Sequence, residues 1–183
     1  MTTSTKPLKF VLLGESKVGK TSIFAQYNEG KFDPDYKPTL SAAFHRKEIK
    51  ISDSNATTVD LWETSGDKKY ISLAKIFFKD SKAILLVYDE TNEDSFNGLK
   101  NFWYEQVKNL GFILAVVVNK CDLSDKKIKE EDGKKYAESI GAMFFEISCK
   151  ENVGISNMFE KIAEAAKNKI MAINKKIIII GKK

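Results

Sequence analysis

The chain has 183 residues, 43% of them hydrophobic and 30% charged, a balance that fits one soluble domain with a real core. No apolar run nears the length a bilayer demands, the opening MTTSTKPLKF has neither a signal-peptide core nor a glycine after the first methionine for myristoylation, and two cysteines make no disulfide framework or zinc cluster. The net charge of +5 raises nucleic acid as a partner, but the lysines alternate with acids and no arginine-rich stripe with interleaved aromatics occurs, so no nucleic-acid partner is expected.

Apolar segments then recur at α/β spacing. LKFVLLG (8–14) predicts a strand and KTSIFAQYN (20–28) the helix after it. AAFHRKEIKI and ATTVDLWE flank SDSN and predict a hairpin. KAILLVYD, FILAVVVNK and AMFFEIS are almost continuous apolar runs, as strands covered on both faces require. Between them lie two helical patterns, EDSFNGLKNFWYEQVKNL and KEEDGKKYAESIG. The last helix carries Ile155, Phe159, Ile162, Ala166, Ile170 and Ile173 at three- and four-residue intervals, on one face. This alternation predicts an α/β domain over 1–174 with a largely parallel sheet and an antiparallel edge. Ligands of such sheets bind beyond the carboxyl ends of the strands. The stretch 175–183 is a basic, isoleucine-rich tail, whose run at 177–180 reads as the start of another strand in a segment that continues further.

GESKVGKT, residues 14–21, has the Walker A spacing, and it follows a predicted strand and opens a predicted helix. Glycines let Gly14, Glu15, Ser16, Lys17, Val18 and Gly19 wrap closely round a polyphosphate, with N–H groups inward and a helix N-terminus behind them. Lys20 then neutralises the outer phosphates and the Thr21 hydroxyl holds Mg²⁺, with Ser22 beside them. The base is chosen by VVVNKCDL, which places Asn119, Lys120 and Asp122 at the end of a buried strand. A carboxylate accepts two parallel hydrogen bonds from guanine N1–H and its 2-amino group, a donor pair adenine lacks, so Asp122 selects guanine. Ser148, Cys149 and Lys150, ending the next apolar strand, close the other side of the pocket.

At this point the chain resembles the small GTPases of the Ras superfamily, most closely the Rab branch, over residues 9–169 with matched spacing. The resemblance implies a P-loop G domain: a six-stranded, mostly parallel sheet with one antiparallel edge strand and about five surrounding helices. YKPTLSAAF is similar to switch I and LWETSGDKKY to switch II. By resemblance, Thr21 and Thr39 complete the Mg²⁺ shell, Asn119 and Asp122 read guanine, Lys120 covers its face and Phe32 packs on its edge. Cys149, the middle residue of the family's Ser-Ala-Lys, is expected to act through its backbone N–H; both cysteines otherwise read as small packing residues.

Switch II departs from the family. Where Asp-Thr-Ala-Gly-Gln is usual, this chain has Glu63-Thr64-Ser65-Gly66-Asp67. Gly66 is kept, so its N–H can meet the γ-phosphate. Glu63 replaces the aspartate that supports Mg²⁺ through a water, and its extra methylene adds roughly 1.5 Å of reach. It either refolds to accept the same water or crowds the metal. Asp67 stands where glutamine orients the attacking water, but an ionised aspartate only accepts and is one carbon shorter. At ~4 Å and an effective dielectric of ~20, its repulsion of the phosphoryl group is about 4 kcal/mol before screening. Roughly 1–2 kcal/mol surviving would slow hydrolysis about ten- to thirtyfold. Weak GTPase activity is therefore expected, with Lys20, Gly66 and Asp67 as the catalytic set. The alternative is a GTP-binding scaffold without turnover. Ser16 is a small residue that Rab members tolerate, while Lys17, Lys68 and Lys69 read as solvated side chains. Lys17 could also offset Asp67, and the other two lie on the surface that meets partners. His45 is assigned no chemistry.

Phe44, Trp62 and Phe77 flank the switches where Rab proteins carry an effector-contacting aromatic cluster; alternation alone would make them core. The resemblance implies effectors, an exchange factor, an activating protein and vesicle trafficking. A cytoplasmic protein is expected, peripheral on the cytosolic face of vesicles. Over 161–183 there are seven lysines against one glutamate, a solvated helix end or a weak attraction to anionic membranes. No cysteine follows Cys149, so the prenylated ending usual in Rab proteins is not expected in this stretch of chain.

Overall fold

The computed structural model describes residues 6–35, 42–52 and 55–180. Strands β1 (Leu8–Leu13), β2 (Ala43–Ser52), β3 (Asn55–Glu63), β4 (Ala83–Asp89), β5 (Ile113–Asn119) and β6 (Met143–Glu146) make one six-stranded sheet in the order β2-β3-β1-β4-β5-β6. Each neighbouring pair is parallel except β2 with β3. Five α-helices occur among the described residues: α1 (Lys20–Glu29), α2 (Ile71–Ile76), α3 (Glu93–Gly98), α4 (Glu130–Ser139) and α5 (Ile155–Ile180).

The continuous apolar runs are explained by two cores. Phe10, Leu12, Leu85, Val87, Ala115 and Val117 face α1 and α5, meeting Ile23, Met158, Phe159 and Ile162. The alternate residues Val11, Leu13, Ile84, Leu86, Tyr88, Val116 and Val118 face the other side, where Ala74, Phe96, Leu99, Trp103 and Ala137 cover them. Each fully buried Leu, Ile or Val contributes about 1.5–3 kcal/mol, so β1, β4 and β5 anchor the fold. The hairpin edge is more polar: Arg46 faces Asp60 across it and donates two bonds to the carboxylate, at 2.6 and 2.9 Å. Charge of this kind blunts an open edge.

Two expectations are corrected. The stretch from Glu93 onward is not one regular helix. After α3 the Tyr104 N–H reaches back to the Leu99 carbonyl, five residues earlier, and a 3₁₀ turn follows at Tyr104–Gln106. The widened turn leaves Leu99 and Trp103 both fully buried on the sheet. The isoleucines at 177–180 are helical, because nothing in the sequence between Gly154 and Gly181 breaks α5, and the helix passes residues 174 and 175 without interruption. Its apolar stripe is buried through Ala166 but Ile173 is 49% exposed, so the helix outruns the sheet. Among the described residues no helix is long and apolar enough to cross a membrane.

Candidate functional site

Register aligns the strand ends: Leu12 lies opposite Glu63, and Asp89 opposite Asn119. The loops that follow them share one end of the sheet. After β1, residues 14–19 turn back into α1, whose first residue, Lys20, is 5% exposed. Its ammonium donates to the carbonyls of Gly14 and Glu15, both at 2.8 Å. Burial pushes its pKa down to about 8, against the raising influence of Glu63 and Glu15. A buried cation inside a loop that opens a helix is the electrostatic arrangement a polyphosphate requires. Lys17 takes φ 69°, a left-handed conformation that few non-glycine residues adopt.

Beside this loop lies a cleft of about 350 Å³, lined by Lys17, Gly19, Ser22, Phe32, Asn119, Lys120, Asp122, Cys149 and Lys150, all expected from sequence, and by Asp33, Pro34 and Leu123, which were not. Asn119, 2% exposed, ties its walls together: its amide donates to the Val18 carbonyl at 3.0 Å and its oxygen accepts from the Cys149 N–H at 3.3 Å. Gly19 is a consequence, since with φ 93° any Cβ there would sit 2.2 Å from Asn119 Nδ2. Asp122 accepts from Ser148 Oγ at 2.5 Å, which orients its carboxylate. The Cys149 N–H donates to Asn119 Oδ1 at 3.3 Å, and burial raises the thiol to about 12, so the side chain is a packed group. Lys120, also left-handed at φ 69°, pairs with Asp89 at 2.5 Å. Asp89 in turn accepts from the backbone N–H and hydroxyl of Thr91. Sequence reasoning missed Asp89; its position at the carboxyl end of the apolar run 83–89 was the available signal.

On the other flank, Thr21 Oγ1 donates to Glu63 Oε1, and Glu63 is 1% exposed. Among the described residues no three acidic, histidine or cysteine side chains gather as a metal cage. A hydroxyl and a carboxylate beside a polyphosphate loop do fit Mg²⁺, which takes one or two protein oxygens and completes its shell with phosphate and water. Thr39, the third expected metal residue, lies outside the described residues.

Gly66 packs on the phosphate loop so closely that a Cβ would lie 2.5 Å from the Ser16 nitrogen. Asp67 is oriented differently from the sequence expectation. One carboxylate oxygen accepts from the Lys69 N–H at 3.0 Å, and the other pairs with Lys69 Nζ at 2.8 Å. The Lys69 ammonium, bonded to it directly, holds its carboxyl below the ordinary range. The charge that the sequence left isolated thus has a partner in Lys69, and aspartate also lacks the amide donor that glutamine would bring. Lys68 is not simply solvated either: it pairs with Glu15 at 2.8 Å and stands 5.2 Å over the Phe102 ring. Glu15 fits there because residue 98 is glycine, where a Cβ would be 2.1 Å from Glu15 Oε1. The two lysines of switch II therefore have separate tasks.

Phe44, Trp62 and Phe77 form a ladder, with ring centroids 4.8 and 4.7 Å apart. Phe44 is 47% exposed, and Leu73 and Ile76 of α2 are also open to solvent. The His45 ring meets Phe24 edge-on, with centroids 6.3 Å apart.

A Walker-type loop, a cleft built by strand-end loops and this strand order define a Ras-type P-loop GTPase domain. The Ras family model matches residues 9–168, and the chain belongs to that family. Within it the chain is Rab-like. It is 37% identical to "Ras-related protein Rab-21" of Geodia cydonium over 88% of this chain and 71% of the relative. It is similarly 36% identical to mouse Rab-22A and 37% to rat Rab-31, each over 86% of this chain and 82% of the relative.

Proposed function

We propose that the chain is a Rab-like switch in membrane trafficking that binds GTP and GDP with Mg²⁺ and hydrolyses GTP slowly. The carrying observation is the cleft in which Asn119 joins the phosphate loop to the 148–150 loop while Ser148 aims Asp122, beside a buried Lys20. Residues 14–22 cradle the phosphates, Asp122 reads guanine, Lys120 and Phe32 flank the base, and Lys150 borders it. When bound, Mg²⁺ supplies charge neutralisation of the phosphates, with Thr21, Glu63 and, in the GTP state, Thr39 as its protein side. Gly66, seated on Ser16, brings switch II to the phosphates. Asp67, both oxygens engaged by Lys69, offers the attacking water no donor, which supports slow turnover through lost positioning. The domain comprises 1–174, with 175–183 as a basic extension.

The Phe44–Trp62–Phe77 ladder with Leu73 and Ile76 is the effector surface, alongside contacts for an exchange factor and an activating protein. The site of action is the cytosolic face of vesicles. The test is single-turnover conversion of bound GTP to GDP. Asp67→Gln should accelerate it about tenfold or more; equal rates would remove Asp67 as the brake, and persistence of GTP in both proteins would favour a scaffold without turnover.

A further inference from the structure

Resting on the guanine-nucleotide reading above, we infer that Glu90 and Lys126 form a latch that positions the guanine-reading loop, residues 119–128. The hold on the base then depends on an ion pair that lies outside the cleft, since neither residue lines it.

The loop leaves the sheet at Asn119 and returns to the core at Ile128, which is buried. Between those points it carries Lys120, Asp122 and Leu123 to the cleft. Residues 89 and 90, at the end of β4 and just beyond it, hold both ends of the loop. At the outgoing end the Glu90 N–H donates to the Asn119 carbonyl at 3.2 Å, and Asp89 pairs with Lys120. At the returning end the Glu90 carbonyl accepts from the N–H groups of Lys127 and Ile128, at 2.9 and 3.2 Å. One residue thus closes the loop through its backbone.

Its side chain adds a contact of a different kind. Glu90 is 1% exposed, and its Oε2 lies 2.9 Å from Lys126 Nζ. Among the described residues no other side chain pairs with that carboxylate. Lys126 reaches in from solvent, with its side chain 46% exposed, and Glu90 beside it holds the ammonium above its ordinary range.

An ion pair between two exposed groups stabilises little. Here one partner is buried, and a carboxylate left alone in such a place costs far more than a broken surface pair. Lys126, Lys127 and Ile128 are consecutive, so they move together. Lifting them strands the carboxylate or draws water in beside it, and the pair therefore opposes opening of the loop.

The consequence is a fixed geometry at Lys120 and Asp122, slow release of GDP and sharp recognition of the guanine 2-amino group. The full chain is loaded with GDP and its release into excess nucleotide is timed. Competition then compares GDP with inosine diphosphate, which lacks the 2-amino group. Lys126→Ala should release GDP about tenfold faster and lower the preference for GDP severalfold. Lys126→Arg, which keeps the charge, should stay close to the parent. If Lys126→Ala does not fold, its combination with Glu90→Leu removes the buried charge as well, and should show the same two changes. Unchanged release and preference, even with a lower Tm, would make the pair structural only and overturn the latch. Faster release with an unchanged preference would mean that the loop keeps its register, and would overturn it too. A parent chain that retains no GDP would overturn the nucleotide reading itself, and this inference with it.

Discussion

Asn119 offers the sharpest test of how the cleft is held. Its side chain is 2% exposed and makes two bonds, donating to Val18 O and accepting from Cys149 N–H. Asn119→Ala leaves the Val18 carbonyl and the Cys149 amide buried without that partner. Each orphaned group costs about 1–3 kcal/mol, so roughly 2–4 kcal/mol of folding stability should be lost. For a domain of this size, about 2–4 °C per kcal/mol converts that to a fall in Tm of roughly 5–15 °C. Asn119→Asp is informative beside it, because the carboxylate still accepts from Cys149 but faces the Val18 carbonyl without a donor; it should be at least as destabilised. Nucleotide-stripped protein would be followed by urea unfolding, and the same proteins in excess GDP by thermal melting. A loss below about 1 kcal/mol in the stripped Asn119→Ala protein would refute the reasoning. So would a defect that appears only in GDP affinity, because the ties would then carry no weight without ligand.

Lys68→Ala removes the Glu15 pair and the ring contact with Phe102. Because Lys68 is half exposed, stability should change by less than about 1 kcal/mol, while amide hydrogen exchange over 66–76 should quicken severalfold; unchanged exchange would dismiss the tether. Gly98→Ala forces a methyl into Glu15 and should cost about 1–3 kcal/mol by urea unfolding, with Glu15→Ala in the same chain restoring part of it. Cys149, its thiol raised to about 12 by burial, should resist a maleimide at pH 8 in the folded protein, and mass spectrometry should find the label there only after unfolding.

Much of this protein is determined by local pattern. The apolar runs of β1, β4 and β5 are periodic enough to identify strands covered on both faces, and the 3.6-residue stripe of α5 identifies its packed side. The spacings at 14–21 and 119–122 place the nucleotide loops, since backbone turns and hydrogen-bonding types are properties of short segments. Reading 177–180 as a strand failed because a short isoleucine run carries no period, and only the uninterrupted helix before it decides the matter. The irregular turn after α3 was equally hidden: a helical pattern does not reveal where an extra residue enters a turn.

The tertiary structure alone decided the partners of charged side chains. Sequence offered Asp67 as an isolated negative charge, Lys68 and Lys69 as solvent-facing, and left open whether Glu63 reaches a water or crowds the ion. Folding pairs Asp67 with Lys69 and sets Lys68 between Glu15 and Phe102. It also brings Glu63, at the end of β3, into hydrogen-bond contact with Thr21. The physical reason is distance: Coulomb energy and hydrogen bonding vanish or dominate over a few ångströms, and contacts between residues far apart in sequence are written only when the sheet brings its strand ends together.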